Sequence, residues 1–508
     1  MKTNVETTGM RDPGEPSLGR RMAAGALWLV GLRLVLRVLG LVSTLILARL
    51  LVPEDFGLVA LATTFAAFLE AASDFNFDLA IIRQNDSTLA DYDTAWTLNL
   101  LKATLIAALL FFSADVLAVF FEDERLGVLF ELTALAALIQ GFWSVRTVDF
   151  RKHMQLSKEF YFRVWGKIGM FLVTVALAFW LRSYWALIIA IVSGRIILLV
   201  LSYALAPYRP RLSLRAWHRL IHFSKWLAVN NLLSFARDRM DALVIGKVAG
   251  AGPLGLYAIA HEVADLPTSE LALPVNRAVY PGYALMRDDP PALRRSYLDS
   301  FALLLLVTAP VGVGIGLLAE PLVRLALGDQ WLGAVPLIQG LVVYGLLRTM
   351  TTNANAVYMA LGRLRIEPAL TVLFIALVLP GLVVAVEYFG AIGAPYVLTA
   401  GALMNLSINL VVVGRLLAIG WTDLFAATWR VVASVATMAA LVSLLPAPST
   451  LPALQLLWSG SLGALAFTAT LLCLWAATGG PDGPERQVLA YLRDTAWNLT
   501  RGRRRHVA

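Results

Sequence analysis

Apolar stretches long enough to cross a bilayer run through this chain almost end to end, and that feature decides its class. A spanning helix needs about 20 mostly apolar residues. Fourteen stretches meet that ruler: 23–48, 55–73, 92–117, 126–145, 160–181, 184–206, 225–247, 254–280, 296–318, 333–360, 368–388, 391–417, 424–446 and 452–477. The fourth is the weakest, because Glu131 and Gln140 interrupt it. With 59% hydrophobic and only 15% charged residues, the chain has more apolar surface than a soluble fold of this size could hide. It is also far too apolar to stay disordered. The expected fold is an all-α polytopic membrane protein of about 14 transmembrane helices.

What is missing narrows the function. Cys473 is the single cysteine, so neither an internal disulfide nor a thiolate metal cluster can form. There is no Walker A motif, no His/Cys metal spacing and no Gly-x-Ser-x-Gly, which argues against an enzyme and for no cofactor. The net charge of +8 is spread over short loops, a topology and lipid-contact signal rather than a nucleic-acid face. With the amino terminus inside, the inner segments hold Arg20, Arg21, Arg146, Arg151, Lys152, Lys158, Arg209, Arg211, Arg215 and Arg219. They continue with Arg294, Arg295, Arg363, Arg365, Arg501, Arg503, Arg504 and Arg505. The opposite loops have scattered cases such as Arg49, Arg125, Lys247 and Arg324. The tally is roughly 27 against about 5, which places both termini in the cytoplasm and requires an even number of spans. The first apolar run is too long for a signal peptide, and Gly19-Arg20-Arg21 reads as its cytoplasmic flank.

An internal repeat gives the architecture. "RLLVPEDFGLVALA" from Arg49 aligns without gaps to "KVAGAGPLGLYAIA" from Lys247, with Gly57 on Gly255, Leu58 on Leu256, Ala60 on Ala258 and Ala62 on Ala260. Both copies end one long span and open the next, and six spans separate them, so both halves point the same way across the membrane. Two pseudo-symmetric six-helix bundles around a central cavity are expected, the plan of an alternating-access transporter, plus two extra C-terminal helices. The expected order is a cytoplasmic segment 1–22, an N-lobe 23–206, a basic cytoplasmic linker 207–224 and a C-lobe 225–417. Helices thirteen and fourteen (424–477) and a basic cytoplasmic tail 478–508 complete it.

Charges inside apolar spans carry the functional argument, since each costs about 2.5–3.5 kcal/mol at mid-bilayer and needs a partner or a wet cavity. Arg33 and Arg37 lie four apart in span one, hence on one helix face. They suit a phosphate or pyrophosphate on a cavity wall; the alternative is a buried ion pair with Asp74 or Asp78, four apart at the inner end of span two. Span seven presents Asn230, Ser234, Arg237 and Asp241 as a stripe, with Asn231, Asp238 and Arg239 beside it. Span eight carries His261, Asp265 and Thr268 on one face, Glu262 and Ser269 on the next, and is broken by Pro267 and Pro274. Span ten adds Tyr344, Arg348, Thr351, Thr352 and Asn355, and span twelve Asn405 and Asn409. Such stripes line cavities or glue helices together. His261 with Asp265 is either a proton relay or a hydrogen-bonded interface histidine. Asn99, Lys102 and Arg195 are further wall candidates, whereas spans thirteen and fourteen carry almost nothing polar and are expected to face lipid or cover a fatty tail.

"LARLLVPEDFGLVALATTF" from Leu47, "DALVIGKVAGAGPLGLYAIAHEVADLP" from Asp241 and "LPVNRAVYPGYALM" after it resemble bacterial polysaccharide repeat-unit flippases. Those belong to the multidrug/oligosaccharidyl-lipid/polysaccharide exporter superfamily. The resemblance covers most of the chain and carries over Asp241 and the Gly57 and Gly255 turns as motif positions. It implies inner-to-outer transport of an undecaprenyl-pyrophosphate-linked oligosaccharide in the bacterial inner membrane, beside membrane lipids and a polysaccharide polymerase or co-polymerase. A peptidoglycan-precursor flippase and an ion-coupled multidrug exporter of the same superfamily are the alternatives. The substrate cavity is then expected to use Arg33, Arg37, Lys102, Asn230, Asn231, Arg237, Arg348 and Asn355. Asp74, Asp78, Asp241, His261 and Asp265 are the candidates for ion coupling.

Overall fold

The computed structural model describes residues 18–83, 86–481, 483 and 485–486. The terminal stretches 1–17 and 487–508, with Arg501 and Arg503 to Arg505, lie outside them. In chain order the helices are α1 (Leu18–Leu50), α2 (Pro53–Ser73), the short α3 (Phe77–Arg83), α4 (Leu89–Phe121), α5 (Arg125–Gly141), the one-turn α6 (Asp149–Lys152), α7 (Leu156–Leu181), α8 (Tyr184–Leu205) and α9 (Trp217–Val248). There follow α10 (Ala251–Ala264), α11 (Leu273–Leu285), α12 (Pro290–Leu317), α13 (Ala319–Ala326), α14 (Val335–Ala360), α15 (Ile366–Phe389), α16 (Gly393–Leu417), α17 (Trp421–Leu444) and α18 (Pro452–Ala477). No β-strand occurs among the described residues.

Among the described residues, ten helical stretches are long and apolar enough to cross a membrane, or up to 11 if one bent pair counts as a span. The expected fourteen is not reached on that criterion, for local reasons. Helix α9 carries Arg237, Asp238, Arg239 and Asp241 in its apolar run. Helix α10 has only 14 residues and is parted from α11 by a π-helical turn over Pro267–Ala272. The α15–α16 region forms one apolar stretch of 52 residues. The fourth span, read as 126–145, stops at Gly141, and the chain bends by 70° before Val145–Lys152. Asp74 and Asp78, expected four apart at the inner end of span two, lie just past the end of its helix and in the next helix. Helix α2 ends at Ser73, and Asn76 takes φ +48 while its N–H donates to Asp74 Oδ1 at 3.1 Å. The expected face of His261, Asp265 and Thr268 is likewise interrupted, because Asp265 closes α10 and Thr268 sits in the π-helical turn.

Contacts divide the chain into two units. The first holds the chain up to Leu50 with Leu69–Asp115 and Gly127–Val229; the second holds Leu51–Phe68, Val116–Leu126 and everything from Asn230. In the first, α7 packs along α1 and α8. Glycines permit the close α7–α8 approach: a Cβ on Gly166 would lie 2.3 Å from a Leu198 methyl, the small-residue packing typical of membrane helices. The basic linker is strapped to the start of α4. Ser213 N–H donates to Thr97 Oγ1 at 3.0 Å and Ala216 N–H to Thr94 Oγ1 at 3.2 Å. Tyr208 donates to Asp93, and buried Asp91 pairs with Arg219. Burial, and then the Asp93 carboxylate, pushes the Tyr208 hydroxyl far above the usual phenol range, so it remains a donor.

In the second unit α14 is central, packed by α10, α11, α12 and α16, while α17 and α18 pair and lean on α12. Helix α12 starts where Asp289 accepts the Ala292 N–H at 3.1 Å and Pro290 and Pro291 occupy the first helical positions, a favourable cap followed by preset φ. Large side chains such as Phe112 and Trp180 are each 82% exposed, as expected of surfaces meeting lipid. One expectation fails here. Span thirteen is not purely apolar, because α17 buries Arg430, whose Nε donates to buried Glu485 at 2.8 Å.

The repeat also has a structural meaning inside this second unit. A Cβ on Gly57 of α2 would fall 1.7 Å from the Ala251 carbonyl oxygen, and one on Gly255 of α10 would fall 1.7 Å from that of Pro53. Each glycine therefore admits the other copy's first turn, backbone to backbone. Gly57→Ala or Gly255→Ala should destabilise the protein by about 1–3 kcal/mol, the usual cost of overpacking. Gly252→Ala, where nothing lies within 4 Å, should leave the thermal midpoint of purified protein unchanged or higher. Equal midpoints for all three variants would contradict the interlock.

Candidate functional site

Some of the polar residues singled out by sequence line two cavities, one in each unit, and others lie apart from them. In the first unit, a cavity of about 480 Å³ is bounded by the end of α2, the Asp74–Asp78 link, α4 and the break after α5. Asp74, Asp78 and Lys102 line it, joined by Glu70, Asn99, Gln140, Trp143 and Arg151. Two of its three carboxylates are met by its own cations: Lys102 Nζ lies 3.6 Å from Asp74, and Arg151 Nη2 lies 3.4 Å from Asp78. Arg151 also approaches Glu159 at 3.6 Å, and Glu159 accepts from Arg163 at 3.0 Å. Arg33 and Arg37 are half-buried on α1 and are not among the residues lining this cavity.

In the second unit, Arg237, Tyr344, Arg348, Thr352 and Asn355 line a smaller cavity of about 100 Å³ with Glu367, Asn405 and Asn409. Arg237 is the hub. Its Nε donates to Asp238 Oδ1 at 2.9 Å and its Nη1 to Glu367 Oε1 at 3.2 Å, while Arg348 Nη2 reaches the same Asp238 at 3.2 Å. One carboxylate thus serves two guanidiniums, a strong arrangement because both partners are charged. The amides are tied in as well. Asn276 donates to Thr352 Oγ1 at 2.7 Å, Tyr358 donates to Asn409 Oδ1 at 2.9 Å, and Asn409 donates to Asn405 Oδ1 at 2.8 Å.

Asp241 is held apart from this cavity. It accepts from the Tyr257 hydroxyl and from the Ala242 N–H at 2.9 Å, and the Tyr257 and His261 rings are 6.0 Å apart. So Asp241 and His261 share one neighbour. Asn230 is exposed and Asn231 half-buried on α9, and neither lines the Arg237 cavity.

Glu70, Glu367, Arg151 and Trp143 are among the residues of these clusters that the sequence does not mark as site candidates. Glu70 lies one turn before the end of its span, and Glu367 stands one residue ahead of the span starting at 368; both carried the visible signal of a charge beside apolar sequence. Arg151 was counted only as a topology charge, and Trp143 gave no signal, because an aromatic residue in an apolar run reads as packing.

The shared carboxylate can be tested by a double-mutant cycle. Arg237, Asp238 and Arg348 keep 25%, 28% and 30% of their side-chain exposure, so solvent screens part of the interaction. Asp238→Ala should cost about 1–2 kcal/mol, and Arg348→Ala should cost less in that background than in the parent protein. Strictly additive losses in thermal stability would contradict the bridge.

Comparison with known proteins gives this geometry a setting. The family described as "Polysaccharide biosynthesis protein" matches residues 46–336. The chain is 26% identical over 406 residues to the lipopolysaccharide biosynthesis protein WzxC of Escherichia coli (strain K12), covering 77% of this chain and 80% of that one. It is 23% identical over 358 residues to the teichuronic acid biosynthesis protein TuaB of Bacillus subtilis (strain 168), covering 68% and 73%. Among solved structures, it resembles the lipid II flippase MurJ in an inward closed conformation with a TM-score of 0.72 and 13% identity, over 89% of this chain and 99% of that one. An inward-facing multidrug resistance transporter of the MATE family gives a TM-score of 0.59 and 14% identity, over 75% and 94%. These two likenesses establish the fold, and the match over 46–336 establishes the family: the chain is a multi-pass membrane protein with a MurJ-like and MATE-like transporter fold and belongs to the polysaccharide biosynthesis protein family.

Proposed function

We propose that the protein is a flippase. It moves an undecaprenyl-pyrophosphate-linked oligosaccharide repeat unit from the inner to the outer leaflet of the bacterial cytoplasmic membrane, for a surface polysaccharide. Family membership over residues 46–336 is the observation that carries this reading, and WzxC and TuaB, named for lipopolysaccharide and teichuronic acid biosynthesis, support it. The physics agrees. A sugar–pyrophosphate head group cannot cross hydrocarbon unaided, because too much hydration would be lost. A protein path lined with charged, amide and hydroxyl groups lowers that barrier while the polyprenyl tail stays in lipid. The chain acts by alternating access as a transporter and not as an enzyme, with both termini cytoplasmic as the loop charges require.

In this reading Arg33 and Arg37 hold the pyrophosphate, since guanidinium forks match its oxygens. Lys102, Asn230, Asn231, Arg237, Arg348 and Asn355 contribute to the path. Asp74, Asp78, Asp241, His261 and Asp265 are the groups through which an ion gradient would act. A polymerase or co-polymerase consuming the product outside would supply further drive. The peptidoglycan-precursor alternative has only the MurJ-like fold in its favour, at 13% identity.

Deleting the gene should cause one lipid-linked oligosaccharide to accumulate on the inner leaflet, identified by mass spectrometry, with surface glycan lost and viability kept. Lethality with build-up of the peptidoglycan lipid precursor would instead establish the alternative. Arg33→Ala combined with Arg37→Ala should abolish surface glycan while membrane levels of the protein stay normal; normal glycan in that variant would remove their phosphate role.

A further inference from the structure

We propose that the first unit's cavity is a sugar subsite, and that it selects glycans whose bound residue carries no negative charge. This rests on the flippase reading and adds which part of the passenger the cavity takes. Its size, about 480 Å³, is within the range of small-molecule pockets.

The charge balance decides against phosphate. Three carboxylates line the cavity, Glu70, Asp74 and Asp78, against two cations, Lys102 and Arg151. Both cations are engaged, Lys102 with Asp74 at 3.6 Å and Arg151 with Asp78 at 3.4 Å. An arriving phosphate or uronic acid would have to break one of these pairs and would meet the carboxylates left behind. Sugar hydroxyls face no such conflict, because a carboxylate is acceptor-only and takes hydroxyl donors on both oxygens.

The wall is also prepared for a ring. Trp143 stands in the break between Gly141 and Val145, where the chain bends by 70°. Its indole Nε1 donates to the Arg195 carbonyl at 3.3 Å, and the Arg195 guanidinium lies 5.7 Å from the ring centroid. These contacts fix the indole in place before any ligand arrives, which lowers the cost of using it as a stacking surface. Beside it, the buried Oε1 of Gln140 has no hydrogen-bond partner among the described residues, and buried polar atoms are seldom left so. A hydroxyl of a bound sugar would satisfy it. An irregular backbone stretch lining a cavity, with an unmet acceptor and a fixed aromatic ring, is a place built to be occupied.

The test uses purified full-length protein in proteoliposomes, loaded in separate arms with undecaprenyl pyrophosphate carrying N-acetylglucosamine, carrying glucuronic acid, or bare. Movement of the neutral glycan should exceed that of the acidic one by about tenfold or more. Asp74→Asn, which releases Lys102, should shift the acidic-to-neutral ratio upward by about tenfold on the same argument. Trp143→Ala should lower the ratio of neutral glycan to bare carrier by about tenfold and Trp143→Phe should largely restore it. Equal movement of neutral and acidic glycans, with ratios unmoved by Asp74→Asn and Trp143→Ala, would overturn the subsite and leave the flippase reading standing. Failure of the parent protein to move any of the three lipids would overturn the flippase reading itself.

Discussion

Hydrocarbon supplies no partner for a charge, so every ionised group placed in a membrane helix has to bring its own. The chain meets that requirement by grouping its charges. Lys102 stands against Asp74, Arg237 and Arg348 share Asp238, and buried Arg430 meets Glu485. The attraction within each group offsets part of the desolvation penalty, and what remains must be repaid by something other than stability. In a transporter fold that return is a polar path.

Breaks in the helices follow from the same constraint. Backbone N–H and C=O groups freed at membrane depth need water or side chains, so irregular stretches occur only against cavities or inside protein. The Asp74–Phe77 link and the Gly141–Val145 bend both border the first unit's cavity. The π-helical turn at Pro267–Ala272 is met by Thr349, whose hydroxyl donates to Thr268 Oγ1 at 3.1 Å. Irregularity and polarity therefore mark the same places.

Much of this was legible in the sequence because it rests on local composition. Apolar runs of about 20 residues read directly as helices. Charges within or next to those runs read directly as candidates, and Asp74, Asp78, Lys102, Arg237 and Arg348 are such charges. Other features were hidden because they depend on distant partners. Nothing near Arg430 in sequence announces Glu485. Nothing local separates Trp143 on a cavity wall from a packing aromatic, and Arg151 looks like any inner-loop cation. The Asp74–Asp78 pair, expected at the inner end of span two, is divided between the link and the next helix, because the helix ends at Ser73 and Asn76 takes φ +48.

By itself the sequence determined that this chain is a helical membrane protein, that its halves share a glycine-marked turn, and which charges hydrocarbon would force into partnership. Those properties follow from transfer free energies and helix periodicity, which act residue by residue. Only the tertiary structure decided who partners whom. It turned Gly57 and Gly255 into an interlock of backbones, joined Asp238 to two arginines, and left one cavity richer in carboxylates than in cations. Pairing is a matter of ångströms between residues far apart in the chain, and no local pattern contains that distance.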